Sequence, residues 1–435
     1  MVLFAVAALA VPAAAQPRVC EVVLDESGMM AMKEVRPGVT NLFGGGGVLS
    51  HCKDDPTRMK SDSFAYYAET ERVDLVGKVR FTDSMVTLDA NRATYFLRDE
   101  RLEAYQNVVL VNRKTGSKLS GPNLIYRRRA PGIRDTTELY ATQHPKVEYR
   151  PESEGPRAEP YIINSDRVRL VGNDRAWSGG NVTIDRSDFF AKGDSALLDM
   201  AAGQGELVNH AGLEGRGGAK YTLTGRYIQY HMQERKLTWV QARGAAEALS
   251  AEWRLLADTV EFDVANNQIQ GGRAWTDTAR ARAISTTYTI LADSLAIDAP
   301  GQRLTELRGF RRATATSLPD STRTESDWMS GDTLLARFDT TALGQRILSR
   351  LTAHGNAKAF YHVPDPDRPA GPPGVSYSRG QRIAARFTLV GLDRVDIVGQ
   401  SDGLYLAPGA PVPADSTAKP PPPVVTPALP PRTRT

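Results

Sequence analysis

Few stretches of the 435-residue chain hold residue types that could do chemistry. A serine after Gly-Asp, as in Gly193-Asp194-Ser195, could act as an acyl-transfer nucleophile if a base stood beside it. The same position recurs as Ala257-Asp258-Thr259, Ala292-Asp293-Ser294 and Gly331-Asp332-Thr333. A nucleophile is needed once, whereas a structural device is needed in every repeat. The reading is therefore a turn rather than a catalyst, and the chain is read as a non-enzyme with no cofactor. Gly44-Gly45-Gly46-Gly47 could cradle a phosphate, but no Lys-Ser or Lys-Thr follows, so it reads as a flexible turn. Arg127-Arg128-Arg129 and Arg311-Arg312 could contact an anion, with a solvated loop as the competing reading. The six histidines are scattered and no Cys-x-x-Cys occurs, so no metal site is read.

The elements that must position these residues are strands. From Glu69 to Tyr126 apolar residues alternate with polar ones: Val73, Leu75, Val79, Phe81, then Val86, Leu88, then Ala93, Tyr95, Leu97, then Leu102, Ala104, Val108, Leu110. A period of two means strands with one buried face. Thr82-Asp83-Ser84, Arg98 to Arg101 and Asn112 to Ser117 carry the polar residues of tight turns. No run suits an amphipathic helix.

The pattern recurs. Blocks such as Ser61-Asp62-Ser63, Ala90-Asn91-Arg92, Ser165-Asp166-Arg167 and Gly380-Gln381-Arg382 each open a strand, and a Leu-rich strand follows. The spacing is about 28–35 residues in most copies and longer late in the chain. So short a unit buries its apolar face only by stacking on its neighbours. The fold class expected is all-β: an extended β-jellyroll or two-sheet β-solenoid of short-strand repeats, open at both ends to strand addition.

Composition agrees: 41% hydrophobic, 7% aromatic, with 37 Gly and 27 Pro. A net charge of +4 is too small to point to nucleic acid and is compatible with an anionic ligand. Residues 1–15 read as a secretory signal with an Ala13-x-Ala15 cleavage site. In an oxidising compartment two cysteines, Cys20 and Cys52, suggest one disulfide. Domains follow: 16–60 as an N-terminal cap holding the disulfide, 61–406 as the repeat array, and 407–435 as a Pro-rich disordered tail. Arg150 to Pro160 and Pro364 to Gly374 read as loops.

Val73 to Phe81, Leu88 to Tyr95 and Leu102 to Val108 together resemble the OstA-like (organic-solvent-tolerance) family, that of LptA and of the periplasmic domain of LptD. The family pattern is a strand ending in Gly-x-Val, an Ala-Asp-x-x-x-Tyr strand and a Leu-x-Ala-x-Gly-x-Val strand. Here Asn91 replaces the Asp, and Gln106-Asn107 stands at the last Gly. The likeness is tight over about residues 60–150 and looser to about 400, and nothing after 400 could supply a membrane barrel. The resemblance implies two sheets splayed like a V, with lipopolysaccharide acyl chains inside, and stacking end to end through terminal strands. It implies a periplasmic lipopolysaccharide-transport protein in outer-membrane assembly. Its partners would be an anionic glycolipid and other jellyroll proteins or an outer-membrane barrel. Val79, Phe81, Leu88, Tyr95, Leu97, Val108 and Leu110 are then the lipid-lining candidates, and Arg127, Arg128 and Arg129 the head-group candidates. The alternatives are a structural envelope solenoid that docks proteins by strand addition and, less favoured, a carbohydrate-active β-solenoid enzyme.

Overall fold

A computed structural model describes residues 20–407, apart from 131, 153–155, 173, 217–219, 235, 318–324, 342–345, 364–370 and 390. The expected signal, nearly all of the tail and parts of both loops lie outside the described residues. The chain is all-β, with a 3₁₀ turn at Pro300–Gln302 and no α-helix among the described residues. Successive strands pair antiparallel as a meander. The first seven set the pattern: β1 (Val22–Arg36), β2 (Val39–Cys52), β3 (Arg58–Tyr67), β4 (Arg72–Thr82), β5 (Val86–Phe96), β6 (Arg101–Asn112) and β7 (Lys118–Arg127).

Each of these strands serves two leaves. β4 pairs through Arg72–Val76 with β5 Arg92–Phe96, then resumes at Val79–Thr82 with Thr87–Ala90. Between the halves, Gly77 and Lys78 take φ of 77° and 44°, opposite the single residue Asn91. Two consecutive left-handed residues facing one is a bulge that bends a strand sharply. The same corner recurs at Gln106-Asn107, Gln143-His144, Gly180-Asn181, Asn209-His210, Gly244-Ala245, Arg311-Arg312 and Gly355-Asn356, each pair at positive φ. The sheet thus folds along a line of corners into an upper leaf (holding Arg72–Val76) and a lower leaf (holding Val79–Thr82). Their facing sides share one continuous apolar core from Cys20 to Ala385.

Several expectations are corrected in detail. The Asp blocks are not chain reversals at strand ends. Register breaks place Asp194 opposite Asn209-His210 and Asp332 opposite Gly355-Asn356, in mid-strand. These blocks begin the second half of a strand, and Asp166, Asp194, Asp293 and Asp332 brace a neighbouring corner. Asn181 and Asn356 donate to Asp166 and Asp332 at 3.3 and 3.1 Å, and His210 lies 3.1 Å from Asp194. Gly180 shows why glycine suits the first corner position. Its φ is 77°, and a Cβ there would clash with the Asp166 carboxylate. The four-glycine run is not a connecting turn: it lies inside β2, with Gly46 and Gly47 at φ 76° and 92°. β2 also pairs directly with β3. The strands of the expected cap thus join the same sheet as the repeats. The Cys20–Cys52 disulfide closes its start.

Candidate functional site: the space between the leaves

All seven lining candidates sit on the facing sides of the leaves. Val79, Phe81, Leu88, Val108 and Leu110 come from the lower leaf, Tyr95 from the upper, and Leu97 from the turn after it. Each is at most 2% exposed. Alternation puts them there: Phe81 pairs with Leu88 and Leu88 with Leu110, so one column of inward positions crosses three strands. Phe81 meets Tyr95 and Tyr126 of the opposite leaf edge to face, at ring centroids 5.5 and 6.4 Å apart. Phe189 meets Tyr230 at 5.8 Å and Tyr288 meets Phe387 at 6.0 Å further along. Aromatic contact across the leaves thus recurs along the array.

The interior is filled rather than splayed. One void lies beside Val86, Leu110, Leu119 and Tyr126, and another beside Trp328, Met329, Leu351 and Val395; each measures about 40 Å³. A third, beside Trp253, Ile290 and Leu307, measures about 20 Å³. Such spaces hold about one water each. An acyl chain enters only if the leaves part.

The margin opposite the corners is clasped in the first third. Arg128, just after β7 on the upper leaf, reaches across to the lower-leaf turns of Asp55 and Asp83 and also holds Glu100 in the neighbouring upper-leaf turn. Its Nε is 3.2 Å from Asp83 Oδ2, Nη2 is 3.1 Å from Asp55 Oδ2, and Nη1 is 2.9 Å from Glu100 Oε2. Its side chain is 12% exposed and that of Asp83 only 1%. Asp83 Oδ1 accepts the amides of Met85 and Val86 at 2.7 Å each, and Oδ2 accepts the Tyr126 hydroxyl at 2.9 Å. The Tyr95 hydroxyl donates to Glu100. Burial drives the hydroxyls of Tyr95 and Tyr126 upward in pKa, and the carboxylates of Glu100 and Asp83 add to it. Burial alone would raise Asp55, but Thr57 and Arg128 outweigh it and hold the carboxyl below its ordinary value.

Arg128 therefore faces inward and is spent on the clasp, unlike a head-group contact. Arg127 is half-buried and pairs with Glu138 at 3.3 Å, and Arg129 is exposed. Arg312 is also engaged, 2.7 Å from Asp293 at its corner. Sequence reasoning missed the clasp because Asp55, Asp83, Glu100 and Arg128 lie in four separate turns. The visible signal was Asp83 in a tight turn, which predicts backbone caps but not a partner 45 residues on. It also missed the meeting of Asp194 with His210. That pair is exposed, at 53% and 87%, and matches the other corner pairs, so it reads as a brace.

The array ends in unpaired edges. Among the described residues β1 pairs only with β2, and it exposes Met29, Met30 and Met32 at 59–70%. At the far end, among the described residues, the strands Gly391–Val398 and Asp402–Leu406 pair only with Gly374–Thr388, and Leu404, Tyr405 and Leu406 are 55–59% exposed. No described helix is long and apolar enough to cross a membrane. Among the described residues no group of three or more His, Cys, Asp or Glu could hold a metal ion.

No protein-family model matches the chain. No curated protein matches it. The OstA-like resemblance therefore rests on the residues and their repetition alone.

Proposed function

We propose that the protein binds and carries lipopolysaccharide, or a similar anionic glycolipid, in the periplasm during outer-membrane assembly. Acyl chains lie between the leaves and the sugar and phosphate groups stay outside. The observation that carries this reading is the apolar core running unbroken from Cys20 to Ala385 between two leaves of one ribbon. A core of that form is a strip along which a chain can lie. Burying ten methylenes yields roughly 8 kcal/mol at the usual 0.8 per CH₂, set against the cost of parting packed side chains. The margin opposite the corners is where parting costs no backbone hydrogen bonds among the described residues, since side chains join the leaves there.

The second reading is a structural solenoid that docks other envelope proteins by strand addition, and the exposed methionines of β1 favour it. The two are compatible, because an end-to-end partner extends the strip. The test is photocrosslinking from Phe81, Leu88 and Leu351 with lipopolysaccharide present. Lipid adducts from inward positions are expected. Their absence from every inward position of the folded protein, with adducts to protein from Met30, would leave only the docking reading.

A further inference from the structure

We propose that a groove on the outer surface of the upper leaf binds an extended oligosaccharide carrying an anionic substituent. The groove has a volume of about 920 Å³ and crosses from β2 to the Gln143-His144 corner, which follows the strand Glu138–Thr142. That volume is in the range of ligand sites, and it lies on the outward side of the strands whose inward side forms the core. The inference goes beyond the lipid reading and does not depend on it.

At one end stand the rings of Phe43 and Tyr67, edge to face at 6.1 Å. At the other end stands Tyr105, 44% exposed. Amphipathic rings of this kind take the apolar faces of sugars. Between them lie the half-buried Asp74 and the exposed Arg92. Asp74 is already matched: Arg72 pairs with it at 3.0 Å and Thr94 donates to it at 3.0 Å. The Arg92 side chain makes no ion pair or hydrogen bond with the described residues, so the uncompensated charge among the lining residues is positive. A carboxylate or phosphate on the ligand would meet it.

Two corners add side-chain amides to the groove. Glycine holds the first corner position at Gly77, Gly180, Gly244 and Gly355, where positive φ costs it nothing. Gln106 and Gln143 hold the same position at φ 64° each. Glutamine is a poor residue for that conformation, unlike asparagine. Both line this groove, with Asn123 between them on β7. Asn123 Oδ1 accepts from Thr142, which leaves its amide hydrogens for a ligand. Side-chain amides on successive strands provide paired donors and acceptors for sugar hydroxyls, which glycines would not. Asn209 and Arg311 also replace glycine at a first corner position elsewhere in the array, and Gln106 and Gln143 are the two such replacements whose side chains line this groove.

The test titrates the full chain by calorimetry with three probes: a deacylated lipopolysaccharide core oligosaccharide, a muramic-acid glycan fragment of cell wall, and neutral chitotetraose. At least one anionic glycan is expected to bind, and the stronger of the two names the source. Gln106→Gly with Gln143→Gly is expected to weaken binding tenfold or more while the thermal midpoint holds or rises. Arg92→Gln is expected to remove the preference for the anionic glycans over chitotetraose. Lack of binding by all three probes, or unchanged binding by the double glycine variant, would overturn the proposal. Lipid crosslinks from Phe81 in that same variant report separately on the interior.

Discussion

Replacing Arg128 by alanine tests the clasp. The guanidinium joins one upper-leaf turn to two lower-leaf turns and contacts three carboxylates. The Asp83 carboxylate, at 1% exposure, keeps two backbone amides and the Tyr126 hydroxyl but loses its described ion pair, while Arg113 stays on the Asp83 carbonyl. Removing one partner of a buried ion pair costs about 3–5 kcal/mol. The partly exposed carboxylates of Asp55 and Glu100 (33% and 15%) regain water in the variant, so the lower half of that range is expected. Because a linear array loses stability locally, the loss belongs to β3–β7. Urea denaturation combined with hydrogen exchange at the Met85 and Val86 amides measures it. Arg129→Ala, one residue on and exposed, is the control and should fall within about 0.5 kcal/mol of wild type. A loss below about 1 kcal/mol for Arg128→Ala, with Val86 exchange unchanged, would refute the clasp.

Gly180→Ala forces a side chain onto φ 77° and against Asp166, and should cost about 1–3 kcal/mol by thermal denaturation; Asp166→Ala in the same background should recover part of it. Asp55 has a folded pKa below its ordinary 3.8, so its contribution is present above that value and lost as pH falls through the lower folded value; an acid titration of stability should lose this component in Asp55→Asn. Reducing the Cys20–Cys52 bridge, which spans 32 residues, should lower stability by about 3–4 kcal/mol on the chain-entropy model, read as a shift in urea midpoint.

The fold was largely legible because period two in Val79, Phe81, Leu88 and Leu110 has one physical meaning. The turns at Thr82–Ser84 and Asn112–Ser117 were legible for the same reason: Asp, Asn and Gly there serve local backbone bonds. The corners were seen as repeats but misplaced. Asp194 and Gly180 act across a register break between neighbouring strands, and a one-dimensional pattern shows the recurrence without showing which strand faces which. The glycines of β2 misled likewise, since positive φ serves a bend within a strand as well as a reversal. The interior candidates were recognisable as core. Their close packing was not, because alternation says which way a side chain faces and not how far away the opposite leaf stands. Arg128 lay beyond local reading altogether: three adjacent arginines look alike until the turns of Asp55, Asp83 and Glu100 converge on one of them.

The central claim is that acyl chains lie between the leaves. Spin labels at Asp99 on the upper-leaf margin and Lys114 on the lower measure it most directly, by the distance between them with and without lipopolysaccharide. Both residues are exposed, at 58% and 63%. Lipid should lengthen that distance by about 4 Å, one carbon-chain thickness at van der Waals contact. An unchanged distance at saturating lipid, with lipid bound, would place the chains elsewhere and contradict the account.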